Sequence, residues 1–227
     1  MGATGFFRGA VPECRGGASP GTVQGRRHPR GAADHGGGVI YHAAELTYAV
    51  VCAPRHISDA RGVKESFRAL TGFLRHFYAN LGIEASWAVD SQPAGGRLGG
   101  RTPLCFAGQE EYDIVAGGRK IGGNAQRRLK DVIFQHGSIP LRCALAEALP
   151  FFREPPPALL EGATSLSQLG VTADPAWLRE RLAAAFGESL GVDLVPSSLT
   201  AEEESTAARL GAERYGEAAW NLRGETP

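Results

Sequence analysis

From Gly38 onward this sequence predicts an α/β domain in which a mixed β-sheet is flanked by helices, and three observations carry that prediction. Runs of β-branched and aromatic residues recur at 39–53, 112–121 and 132–141, as strands do. Between and after them lie stretches with apolar residues three and four apart, the helical period. Strand and helix signals interleave without a strict βαβ repeat, which points to a mixed sheet with flanking helices.

In chain order, residues 1–38 hold 11 glycines, many Arg and Pro and almost no aliphatic side chain. Such a stretch buries too little apolar surface to offset its ordering entropy, so 1–37 is expected to be an aberrant or disordered segment and 38–227 the folded domain. VIYH (39–42) and LTYAVVCA (46–53) read as strands. Ser58-Asp59 offers a helix cap, after which Val63, Phe67, Leu70, Leu74, Phe77 and Leu81 fall on one helical face that Gly82 ends. EASWAV (84–89) reads as a strand, followed by a Gly-rich loop from Gln92 to Pro103. A strand at 112–115, a Gly117-Gly118 turn and a second strand through Ile121 form a hairpin. VIFQHGSIPL (132–141) is a further strand, and FFREPPP (151–157) breaks regular structure. A helix at 175–190 has Pro175 in its first turn, and a helix at 201–213 has Thr200 and Glu203 as a capping box.

Composition narrows the function. The chain has 227 residues, 43% of them apolar and 21% charged, with zero formal net charge. That length suits one substantial domain. The charge balance argues against nucleic acid as the main partner, because phosphate binding calls for a basic excess. No apolar run approaches a membrane span, and no Leu or Ile precedes Ile40, so neither a membrane segment nor a secretory signal is expected and the cytoplasm is the default. The four cysteines, Cys14, Cys52, Cys105 and Cys143, are widely spaced without a CxxC pair. Neither a metal site nor a disulfide framework is expected.

The segment Pro103–Leu141 is the informative one. It brings a cysteine (Cys105), a lysine on a glycine-flanked strand (Lys120) and a histidine (His136) within about forty residues. Glycines 117, 118, 122 and 123 permit close backbone approach, and Lys120 among them suits donation to a carbonyl or phosphate oxygen. Each has a plainer reading beside it. Cys52 and Cys143 fit inert core, Lys120 fits a solvated strand lysine, and His136 fits a structural hydrogen-bonder. His42 either lines a pocket or ends a strand. Tyr215 and Trp220 are expected to anchor the C-terminal segment by burial.

YDIVAGGRKIGGNAQRR (112–128) followed by QHGSIPL (135–141) resembles the signature of the lipoate protein ligase A/B family. GGGVIYHAAELTYAVV upstream is similar to its strand pair. Ala163-Thr164-Ser165-Leu166, Leu190-Gly191-Val192 and YGEAAWNLR (215–223) resemble its C-terminal region. The resemblance covers roughly 38–223 in order. It implies the biotin/lipoate-ligase-like fold, which is also that of class II aminoacyl-tRNA synthetases and biotin synthetase. The family holds two chemistries, ATP- and magnesium-dependent ligation of free lipoate and cofactor-free octanoyl transfer through a cysteine thioester. Cys105-Phe106 with Tyr112-Asp113, together with Gln126 and Gln135-His136-Gly137-Ser138, resembles the octanoyltransferase branch.

That resemblance implies Cys105 as nucleophile and Lys120 as donor to the acyl carbonyl, and His42, Gly122, Gly123, Asn124, Ala125, His136 and Gly137 as substrate-binding residues. It implies octanoyl-acyl carrier protein as donor. The implied acceptors are lipoyl-domain proteins such as glycine cleavage H protein or the E2 subunit of a 2-oxoacid dehydrogenase. A thiolate is the reactive form of cysteine, and amide formation from a thioester runs downhill without ATP. Lys120 would also repel an incoming ammonium and help keep the acceptor amine neutral. The alternatives are the ATP-dependent ligase, and a decayed, non-catalytic member.

The front end departs from the family. Its "W-x-P-P-x-x-S-x-G-x-x-Q" and "V-V-R-R-x-T-G-G" motifs are missing, yet the codons allowed for Met1–Glu13 and Arg30–Gly36, read one nucleotide forward, accommodate both in order. Residues 1–37 are therefore expected to be an out-of-frame translation, truncated at its start as well, that rejoins the frame among the glycines at 36–38. The expected cost is a missing part of the sheet and of the acyl pocket.

Overall fold

Two sheets organise the computed structural model, which describes residues 5–9, 30–33, 39–57, 62–91, 109–149 and 161–223. The smaller comprises β1 (Gly5–Gly9), β2 (Arg30–Ala33) and β3 (Val39–His42) in the order β2-β1-β3, with β1 parallel to β2 and antiparallel to β3. β1 and β2 fall within 1–37, the segment expected to be aberrant or disordered. The larger sheet comprises β4 (Glu45–Cys52), β5 (Ser86–Trp87), β6 (Ile114–Ala116), β7 (Arg119–Arg128) and β8 (Ile133–Pro140). Its order is β4-β8-β7-β6-β5, and each neighbouring pair is antiparallel. The parallel pairing expected of a mixed sheet is found between β1 and β2 and in a single bridge from Lys120 to Ala163.

The α-helices are α1 (Val63–Asn80), α2 (Ala88–Ser91), α3 (Leu145–Ala148), α4 (Pro175–Leu190) and α5 (Ala201–Leu210) among the described residues. The predicted stripe of α1 buries Leu70, Leu74 and Phe77, joined by Phe73 and Tyr78, against Leu46, Ile121 and Ile139 of the sheet and Leu178, Leu182 and Ala185 of α4. Each such side chain contributes about 1.5–3 kcal/mol when fully buried. Val63, at the start of the stripe, is exposed instead. Gly62 takes the N-cap position of α1 without a side-chain bond, and the Ser58-Asp59 cap lies outside the described residues. Asp174 caps α4 through the amides of Ala176 and Trp177, and the predicted Thr200–Glu203 capping box opens α5.

Several expectations are corrected. The strand at 84–89 shrinks to Ser86–Trp87, because the chain turns into α2 once the Trp87 indole donates to Thr71 Oγ1 at 3.0 Å beneath the Arg68 and Arg75 guanidiniums. The hairpin turn is as expected, with Gly117 and Gly118 at φ 55° and 75°, the pair of left-handed residues a two-residue hairpin demands. Its second strand does not stop at Ile121 but continues to Arg128, since Gly123 onward pairs with β8. The last helix ends at Leu210 and is followed by π-helical turns at Gly211–Tyr215 and Ala219–Arg223. Trp220 is buried as predicted, whereas Tyr215 is exposed and only lays its ring edge against Trp220. Cys52 and Cys143 are half-buried rather than core. The 92–103 loop and FFREPPP (151–157) lie outside the described residues.

Candidate active site

Strand pleating and one irregularity decide which side chains meet. Opposite Ile114 and Val115, β7 carries an extra residue: Lys120 pairs with Val115 and Gly122 with Ile114, leaving Ile121 between them. A bulge of this kind turns two successive side-chain positions to one face. Ile121 packs in the core beneath α1, and a Cβ on Gly122 would point at the Tyr78 hydroxyl of α1. Alternation then sends Lys120 and Gly123 to the opposite face, away from α1. The register adds Ala125 and His136 as one cross-strand pair and Gly123 and Ser138 as another, with Thr47 and Ala49 of β4 beside them. Tyr78 secures the bulge by donating its hydroxyl to the Ile121 carbonyl at 3.1 Å.

Lys120 is the most constrained polar side chain of this face. Its Nζ lies 2.7 Å from Asp113 Oδ2, and both side chains are 5% exposed. The same Asp113 oxygen accepts the Glu110 amide at 2.8 Å, so the carboxylate is itself held. Burial pushes the Asp113 carboxyl up, against the opposing pull of the Lys120 charge. The Lys120 backbone is clasped by a neighbouring segment: its amide donates to the Gly162 carbonyl at 2.9 Å, and its carbonyl accepts the Thr164 amide at 2.8 Å. The solvated-lysine reading is thereby corrected. Asp113 also offsets the charge of Lys120, so the expected repulsion of an incoming ammonium is opposed by an adjacent carboxylate.

The segment that clasps Lys120 forms one wall of a shallow open cleft. Ala163 and Thr164 line it together with Glu45, Pro140, Arg142, Cys143 and Leu145. Glu45 joins two strands there: it accepts the buried Ser138 hydroxyl at 2.7 Å and is bonded to Nδ1 of His42. His42 ends β3, so the strand-end reading describes it, and its ring reaches the cleft wall through Glu45.

The remaining predicted residues lie on the α1 face. Asn124 Oδ1 accepts the Tyr48 hydroxyl at 2.6 Å, and Gly137 sits directly under that ring. Ser66 donates to Gln126 at 2.8 Å and Gln126 to Gln135 at 2.9 Å, a polar thread between α1 and the sheet that ends in the buried Nε2 of Gln135. Burial pushes the Tyr48 and Tyr78 hydroxyls up, which keeps both as protonated donors. The structure therefore divides the predicted substrate-binding set. Gly123, Ala125 and His136 share the face of Lys120, whereas Gly122, Asn124 and Gly137 face α1. Cys105 lies outside the described residues.

Sequence reasoning missed Asp113 and Glu45 as site residues. The hairpin carried a signal for Asp113: with a turn at Gly117-Gly118, residues shortly before it must lie beside Lys120. No local signal links Glu45 to Ser138. Among the described residues, no group of three or more His, Cys, Asp or Glu could hold a metal ion, and no helix is long and apolar enough to cross a membrane.

An antiparallel sheet carrying α1 and α4 on one face is a fold this chain shares with solved lipoate-protein ligases. A crystal structure of lipoate-protein ligase A bound with ATP superposes with TM-score 0.77 over 96% of this chain and 81% of that one, at 21% identity. The bipartite lipoate protein ligase of Thermoplasma acidophilum, described with its E2 lipoyl domain, superposes with TM-score 0.75 over 99% of this chain and 82% of that one, at 19% identity. The chain belongs to the lipoyl protein ligase A/B catalytic domain family, whose model matches residues 23–187. That match starts ahead of Gly38, where the quoted motifs begin. Octanoyltransferase LipM of Bacillus cereus is 35% identical over 199 residues, covering 83% of this chain and 72% of that protein.

Proposed function

We propose that the chain is an octanoyl-[acyl-carrier-protein]:protein N-octanoyltransferase that passes an octanoyl group through a cysteine thioester to a lipoyl-domain lysine. The observation that carries the reading is the fixed, buried Lys120 ammonium, on a backbone clasped by the segment that walls the cleft, in a chain similar over most of its length to LipM octanoyltransferases. The Cys105 thiolate attacks the donor's thioester carbonyl, the oxyanion collapses, and the carrier's thiol leaves as thiolate. The neutral amine of the acceptor lysine then attacks the Cys105 thioester, loses a proton, and releases the thiol as an amide forms. Lys120 donates to the carbonyl oxygen while charge develops on it, a role that removal typically converts into a loss of about 10²–10³ in kcat. The donor is octanoyl-acyl carrier protein, and the acceptors are lipoyl domains of the E2 and glycine cleavage H type. No cofactor is required, and the cytoplasm is the compartment.

Intact-mass analysis tests this. Incubated with octanoyl-acyl carrier protein and no ATP, the protein gains one octanoyl mass, which C105A does not, and an added lipoyl domain takes that mass over. The fold of the ATP-bound ligase A supports a second reading, ATP- and magnesium-dependent ligation. Transfer that requires ATP and free lipoate would establish that one, and a chain inert under both conditions would be the decayed member. The test is run on the chain as given and on a frame-corrected one. Residues 1–37 are read as a shifted frame preceding the 38–227 catalytic domain, and resequencing that finds an uninterrupted frame for the present residues removes this reading.

A further inference from the structure

Two opposite charges are buried together at Lys120 and Asp113, and stability gives no reason for them. A buried ion pair is commonly neutral or unfavourable relative to well-packed apolar side chains, because both ions forfeit hydration. What the pair does supply is a fixed cation. Three constraints converge on it: the 2.7 Å contact itself, the Glu110 amide holding the carboxylate, and the backbone clasp from Gly162 and Thr164. The β7 bulge adds a fourth, since it seats Lys120 opposite Val115 while Ile121 and Gly122 both turn toward α1. Asp113 stands just before β6, on the strand opposite Lys120, where the Gly117-Gly118 turn brings it back across the hairpin.

We propose that Asp113 is a positioning residue for the acyl transfer, acting only through Lys120 by fixing the place and direction of its ammonium. This rests on the reading of Lys120 as donor to the acyl carbonyl. Asp113 itself touches neither donor nor acceptor. Among the described residues, Glu110, whose charge acts on Asp113, and the Tyr78 hydroxyl of α1 beneath Ile121 lie near the pair. Neither substitutes for the carboxylate: Glu110 reaches Asp113 through its backbone amide, and the Tyr78 hydroxyl is committed to the Ile121 carbonyl. A donor displaced by an ångström loses most of its effect on a developing oxyanion, about 10²-fold in rate.

The experiment is a cycle on kcat and KM for octanoyl transfer with D113N, K120M, the double variant and D113E, using whichever of the two chains transfers. D113N is expected to lower kcat by about 10–100-fold while KM for the carrier changes less than about threefold. The double variant is expected to be no slower than K120M alone, and D113E to recover about tenfold of the loss. Circular dichroism melting of every variant separates these effects from loss of fold. The proposal is overturned if D113N keeps kcat within about threefold of the parent, if the two losses multiply in the double variant, or if D113E is no better than D113N. A parent chain that transfers only with ATP and lipoate overturns the octanoyl reading alone, and the same cycle is then scored on that reaction. A parent inert in both assays overturns both.

Discussion

Replacing Gly137 with alanine is a demanding test of how the α1 face is packed. A Cβ built there would lie 2.6 Å from Tyr48 Cε1 and 2.9 Å from Tyr48 Cζ, and would collide with Asn124 Oδ1 as well. Ordinary carbon contacts need about 3.5 Å, so the ring must retreat by roughly 1 Å. Nothing behind it yields easily. The Tyr48 ring meets Phe73 edge-on at 5.1 Å, Phe73 meets Phe186 at 5.1 Å, and the Tyr48 hydroxyl is bonded to Asn124 at 2.6 Å. Overpacking of this kind costs about 1–3 kcal/mol, and a broken buried hydrogen bond adds about 1 kcal/mol. G137A should therefore lose about 2–4 kcal/mol, seen as a fall in urea midpoint at constant m-value and in Tm of roughly 4–16 °C. In a G137A/Y48A cycle the ring that clashes is gone, so the double variant should be more stable than the sum of the two losses by about 1 kcal/mol or more. Below its melting range, G137A should keep the KM for octanoyl-acyl carrier protein, because the added methyl points toward α1. A G137A protein within about 0.5 kcal/mol of the parent, or strict additivity with Y48A, would refute the packing argument.

Two further outcomes follow from buried and capping hydrogen bonds. T71V removes the hydroxyl that accepts the Trp87 indole, which is 5% exposed, and the hydroxyl bond to the Phe67 carbonyl; it should cost about 1–3 kcal/mol in urea unfolding, whereas T71S should restore most of that. The Glu203 carboxyl is held below its ordinary value of 4.5 by the Thr200 amide and then by the Thr200 side chain, so its support for α5 is complete above pH 4.5 and is lost as pH falls through the lower folded value. Backbone NMR shifts of Ala201–Leu210 should accordingly move toward coil below pH 4.5 in the parent but show no such step in E203Q.

Much of this protein was legible one stretch at a time. The turn at Gly117-Gly118, the α1 stripe, Pro175 in the first turn of α4, the Thr200 cap and the β8 strand all follow from residues within a few positions of each other, which is the range over which backbone strain, capping and hydrophobic period act. The Lys120 signature was legible too, because its glycines and polar residues are contiguous. Where reading failed, longer range decided. EASWAV lost most of its strand to an indole bonded across to α1, and the strand expected through Ile121 runs on because Gly122 pairs with β6 and Gly123 onward with β8.

The amino-acid order by itself thus determined the family, the hairpin and the identity of the lysine. Only the tertiary structure decided which neighbours that lysine keeps. One extra residue in β7 inverts the phase of every side chain beyond it, dividing a contiguous motif between two faces, and a count of residues cannot locate the bulge before β6 and β8 have paired. Asp113 against Lys120, Gly162 and Thr164 around its backbone, and Glu45 on Ser138 are contacts between strands and segments that sequence leaves apart. Their geometry is set by burial of the whole sheet against α1 and α4, a sum over many side chains that no local pattern contains.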